Sequence, residues 1–236
     1  MDIKLKKEVQ KPIIVEGFPG FGLIGAITTE FLVRHLDTEQ VGEIMMDKMP
    51  ATIAIHEGKI VHPIGIYHNS KYNLLIIHSI TAPQGLEWEL ADTILSLARK
   101  VNAWELISIE GVGTSQPGEE SRAFFFANSK HNQEKLKGIG LEPLEEGIIV
   151  GVTSAMMLKG KEMNMTSLFA EAHSQLPDSK AAAKIIEILD KYLGLKVDYK
   201  PLLETAEKFE QQIKGILESS QKTNEEKDKK AMNYVG

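Results

Sequence analysis

Residues 13–33 read IIVEGFPGFGLIGAITTEFLV, a strand, a glycine turn and a helix written back to back. Ile13, Ile14 and Val15 form the β-branched run of a strand covered on both faces. Gly17, Gly20, Gly22 and Gly25 follow, with Pro19 among them. Leu23, Ile24, Ile27, Phe31 and Leu32 then recur at helical spacing. A strand that turns through glycines into a helix is a building unit of α/β folds, and the rest of the chain is arranged around it.

Glycine at such a junction takes positive φ freely and lets a ligand or another backbone come close. Gly20, Gly22 and Gly25 spell G-x-G-x-x-G, the pattern of a dinucleotide cradle. Glu43 and Asp47, 18 and 22 residues after Gly25, both suit the acidic position expected at the end of a second strand. Against a cradle, Gly17, Phe18 and Pro19 separate the motif from the strand and displace the helix start that would face a pyrophosphate. Phe18 and Phe21 flank the turn, and no Lys, Arg, Ser or Thr lies inside it. The favoured reading is a tight turn packed against a neighbour.

Composition narrows the classes. The 236 residues suffice for one large α/β domain or two small ones. No apolar run approaches the roughly 20 residues of a membrane span, and the first residues, MDIKLKKEVQKP, lack the apolar core of a signal peptide. The absence of cysteine excludes disulfides and thiolate chemistry and fits a reducing cytoplasm. A net charge of −6 disfavours nucleic-acid binding.

Along the chain, strands are predicted at 41–46, in a meander over 52–56, 59–67 and 72–80, and at 106–109, 124–127 and 148–152. Helices are predicted at 88–101, 132–138 and 179–193, the last opened by Pro177-Asp178 and closed by Gly194. The Met-rich stretch 156–165 reads as a helical packing surface. The meander rules out a purely parallel sheet, so the expected fold is a three-layer α/β/α domain with a mixed sheet. Pro201 starts a further helix, where Leu202, Ala206, Phe209, Ile213 and Ile216 make a narrow apolar seam. From 219 to 230 the composition is polar and charged, predicting a tail, yet it ends in the apolar tip AMNYVG. The divisions expected are a core at 1–197, a C-terminal helix at 198–218 and a charged tail at 219–236.

Chemistry-bearing residues form no convincing set. Ser154, His173 and Asp178 could be cast as a hydrolytic triad, but Ser154 sits in VTSAM rather than in a G-x-S-x-G elbow. Histidines at 35, 56, 62, 68, 78, 131 and 173 make no metal-binding pair on a clear helix. The loop from Glu110 to Gly118, at the end of a central strand, is the better pocket candidate. Glu119 and Glu120 make it acidic and unsuited to phosphate. No catalytic, cofactor or metal residue is assigned.

The string GFPGFGLIG at 17–25, the stretch GVTSAMMLKGKEMNMTSLFAEAH at 151–173 and the runs SQLPDSKAAAKIIEIL at 174–189 and PLLETAEKFE at 201–210 together resemble, in order, the proteasome assembly chaperone family, especially its archaeal members. The resemblance implies a fold similar to nucleoside phosphorylases, used for binding rather than catalysis. It also implies homo-oligomers and contact with the α-subunits of the proteasome core particle through C-terminal tails. Partner-binding residues would be Met232, Tyr234, Val235 and Gly236. Family tails that dock often end in hydrophobic–tyrosine–any residue. Here Tyr234 is third from the end and follows Asn233, which departs from that pattern. The alternative expectation is a nucleoside- or nucleotide-binding enzyme of phosphorylase-like fold that uses the 17–25 turn.

Overall fold

The computed structural model describes residues 3, 5–49, 51–56, 58–81, 84–113, 121–172 and 177–200, with the side chains of His56 and Lys59 excepted. An eight-stranded sheet organises them. Its strands are β1 (Ile13–Gly17), β2 (Glu39–Glu43), β5 (Ile64–Asn69), β6 (Leu74–Ser79), β7 (Glu105–Gly113), β8 (Ala123–Ala127), β9 (Glu142–Pro143) and β10 (Met165–Ala172). They lie in the order β2-β5-β6-β1-β7-β10-β8-β9. The central four, β6, β1, β7 and β10, run parallel. β5 and β8 flank them antiparallel, so the sheet is mixed, as the meander predicts. A separate hairpin joins β3 (Ala54–His56) to β4 (Lys59–Val61).

Alternation along β1 shows how the layers form. Val15 faces the core beneath α1 (Ile24–His35) and α5 (Ser179–Leu193). Ile14 faces the opposite core, beneath α2 (Glu87–Lys100) and α4 (Val152–Lys159). Helices on both faces leave the central strands no solvent side, hence their nearly continuous apolar sequence. A fifth helix, α3 (Lys130–Gly138), follows β8. Helix α5 ends as its sequence dictates. Asp178 accepts the Ala181 N–H at 3.0 Å, and Gly194 takes the left-handed C-terminal position. Among the described residues no helix is long and apolar enough to cross a membrane.

Several expectations are corrected. The strand expected at 59–67 is two, β4 and β5, in different sheets, because Pro63 offers no N–H to carry a ladder through. The strand expected at 148–152 does not form. Ile148 and Val150 lie exposed, Gly151 turns at φ 85°, and Val152 already opens α4. The sheet position beside β8 that this run could fill belongs to β9. The helix expected at 156–165 stops at Lys159, and Met165 instead begins β10, a central strand. Its sequence, MTSLFAEA, mixes polar residues into a fully buried element. Thr166 can be there because it donates to Glu105 on β7. The seam from Leu202 to Ile216 and the tip at 232–236 fall outside the described residues.

Candidate functional site

The glycine turn sits where the carboxyl ends of β1 and β7 meet, the usual ligand position of an open α/β sheet. Here the space is filled by protein. Gly17 and Gly25 face each other backbone to backbone, so a Cβ on Gly17 would overlap the Gly25 carbonyl. A Cβ on Gly25 would come 2.6 Å from the Ile109 carbonyl, and one on Gly111 would overlap the carbonyl of Phe21. The glycines thus let the turn press onto β7.

The donors a phosphate would use are also taken. Glu110 Oε1 accepts the Gly111 N–H at 3.1 Å, and the Phe21 backbone donates to the same carboxyl group. Thr153 of α4 reaches Oε2 at 3.5 Å. Burial pushes Glu110 up to about 7, with the bonds from Gly111, Thr153 and Phe21 acting against that shift. The carboxyl lies so close over Gly20 that a Cβ there would collide with it. A pyrophosphate over this turn would meet an acidic side chain in place of free N–H groups.

A second acid lies beside it. Glu16 is wholly buried on β1, opposite Ser108 of β7, which in turn pairs with Ser167 of β10. Both Glu16 carboxyl oxygens and the two serine hydroxyls lack a hydrogen-bond partner. Burial pushes Glu16 up to about 8. The hydroxyl of the adjacent Ser108 acts against this, and the Glu110 charge adds to it. Sequence reasoning passed over Glu16, although an acid inside a run buried on both faces is itself a signal.

On the other side of the turn, His78 at the end of β6 holds α1. Its Nδ1 stands 2.9 Å from Thr29 Oγ1, which donates to the Gly25 carbonyl at 2.9 Å. Its Nε2 lies 2.9 Å from Glu30 Oε2. Burial alone would raise the Glu30 pKa, but His78 and Arg34 outweigh it and hold it at about 2. The stability this contributes is present above the ordinary carboxylate range and is lost as pH falls toward 2. Thr29 and His78 are buried, so the carboxylate–imidazole–hydroxyl series braces the fold.

The remaining candidates scatter. Ser154 on α4 and Asp178 at the start of α5 lie on opposite faces of the sheet, and Ser154 Oγ bonds the Gly151 carbonyl. His173 is outside the described residues. His62 contacts Glu43, His68 reaches Asn73, and His35 stacks on Phe31. Among the described residues no group of His, Asp and Glu could hold a metal. The described part of the 110–118 loop borders a cleft of about 590 Å³, lined by Gly113, Arg122, Glu142, Glu145, Glu146 and Glu171 among others. Arg122 is clamped by Glu171 at 2.6 and 3.0 Å, leaving the cleft acidic.

A model of the PAC2 family matches residues 14–217. An uncharacterized protein of Methanocaldococcus jannaschii is 26% identical over 234 residues, covering 98% of this chain and 96% of its own. The crystal structure of Pyrococcus furiosus PbaA, an archaeal homolog of proteasome-assembly chaperone, superposes with a TM-score of 0.83 at 30% identity, covering 96% of this chain and 99% of that one. Pyrococcus furiosus PbaB, an archaeal proteasome activator, shares the fold with a TM-score of 0.75 at 23% identity, over 91% of this chain and 98% of its own.

Proposed function

The chain belongs to the PAC2 family, and from that premise we propose that it is a non-enzymatic, homo-oligomeric proteasome assembly chaperone or proteasome-binding adaptor. The observation that carries this reading is the 30% identity to PbaA, spread over nearly the full length of both chains. The site geometry supports it. The position where a family of this architecture would seat a nucleotide is filled by Glu110 and by backbone.

In this reading the 1–197 core presents the 198–218 segment and the 219–236 tail to the α-subunits of the core particle. Met232, Tyr234, Val235 and Gly236 make the contact. Several identical tails on one assembly raise one another's effective concentration, so each contact can be weak. Deleting residues 232–236 is expected to reduce capture of proteasome α-subunits in a pull-down at least tenfold and to leave the melting temperature unchanged. Undiminished capture by the truncated chain would remove the tail from the mechanism.

A further inference from the structure

The β3–β4 hairpin forms a ladder of its own, apart from the eight-stranded sheet. Among the described residues no backbone hydrogen bond ties either of its outer edges to another element. Bare edges of this kind are templates for a further strand. Ile55 and Ile60 are register partners and so share one face, and Ile53 lies two residues before Ile55. All three are more than half exposed. A two-stranded hairpin with a wet apolar face is marginal in water, and a third strand supplies what it lacks.

Beside the hairpin lies a groove of about 570 Å³, lined by Met45, Met46, Met49, Ile53 and Ile60, with Asp47 among them. Methionine is unbranched and polarizable, so three of them make a wall that repacks around differing side chains. Charge narrows what can enter. Lys48, next to Asp47, is held by Glu89 at 3.2 Å, and His62, which lines the groove, by Glu43 at 3.0 Å. Asp47 itself is exposed and has no ion pair among the described residues. The groove therefore presents apolar walls and one unpaired carboxylate. The exposed Ile148 and Val150 of a second copy would be a poor match, since Glu145 and Glu146 precede them and bring like charge to Asp47.

We propose that the groove and an edge of the hairpin bind an extended, lysine- or arginine-bearing apolar segment of another polypeptide, which joins the hairpin as a third strand. Backbone bonds to the hairpin supply affinity for many sequences, and the methionine wall receives alternate side chains. Asp47 selects against acidic segments. The contact does not involve residues 232–236, so it stands apart from capture of α-subunits by the tail.

Fluorescence anisotropy of the full chain tests this with two labelled peptides, one of alternating lysine and valine and its glutamate–valine counterpart. The lysine peptide is expected to bind more tightly by about tenfold or more. Asp47→Lys is expected to abolish that preference, and Ile60→Asp to weaken the lysine peptide by about tenfold. Both side chains are exposed, so circular dichroism is expected to show unchanged folding. Native mass spectrometry is expected to give the same number of copies for Ile60→Asp as for the wild type. Equal binding of the two peptides, or a preference that survives Asp47→Lys, would overturn the proposal. So would an Ile60→Asp chain that loses copies, because the groove would then lie between copies.

Discussion

Gly17→Ala is expected to destabilise the protein by about 3 kcal/mol or more, the upper range for overpacking where nothing can yield. The new Cβ would overlap the Gly25 carbonyl and lie 2.5 Å from its carbon, and both belong to backbone held between β1 and β7. A chain of this size would then melt about 6–12 °C lower. Gly138→Ala is the matched control. Nothing lies within 4 Å of a Cβ there, at the end of α3, so that change is expected to be neutral or to gain about 0.5–1 kcal/mol. Thermal denaturation of the two variants side by side checks this, and a Gly17→Ala variant as stable as Gly138→Ala would refute the packed turn.

The second large effect concerns Glu16 and grows with pH. In the unfolded chain its carboxyl ionises near 4.5, whereas the folded protein holds the proton until about 8. Between those values the unfolded state gains by losing a proton that the folded state keeps. Stability therefore falls as pH rises, by about 1.4 kcal/mol per pH unit for this group. Glu16→Met removes the group and fills its place with an apolar chain. The variant is expected to match the wild type near pH 4.5 and to exceed it by on the order of 4 kcal/mol at pH 8. Its stability curve is expected to keep a slope, because Glu110 is also raised by burial, to about 7. Urea denaturation at several pH values reads the difference directly, and parallel curves would show that Glu16 is ionised in the fold.

Glu16 and Glu110 also mark how far the sequence could be read. The strand–turn–helix unit, α2, the β5–β6 hairpin and α5 with both its caps follow from local signals, since periodicity, capping and glycine act over a few residues. β10 was hidden because two of its polar residues, Thr166 and Glu171, find partners elsewhere in the chain. Thr166 bonds Glu105, which also receives Asn132 at 2.8 Å and Tyr192 at 3.0 Å. The run at 148–152 failed in the opposite sense. Its composition suits a strand, but the sheet within one copy gives it no neighbour.

At the site, the position of the turn was legible and its occupant was not. The motif Gly20–Gly22–Gly25 is the same whether a phosphate or a protein group lies over it. Only the register of β1 with β7, which sets Gly17 beside Ile109, brings Glu110 to the turn. Glu119 and Glu120, on which the expected acidity of the 110–118 loop rests, lie outside the described residues. The acids of the cleft beside it, Glu142, Glu145, Glu146 and Glu171 with a single arginine, Arg122, come from distant parts of the sequence. The exposure of Ile55, Ile60, Ile148 and Val150 could not be seen in sequence, because a β-branched residue in an apolar run reads as core until the sheet is assembled.

The reading of this chain as a binding protein is tested most directly by native mass spectrometry of the full chain mixed with archaeal proteasome α-subunits, with ATP and NAD in excess. The expected spectrum contains complexes of several copies of the chain with α-subunits, at masses that leave no room for a retained nucleotide. A chain that carries ATP or NAD while the α-subunits stay uncomplexed would contradict the account.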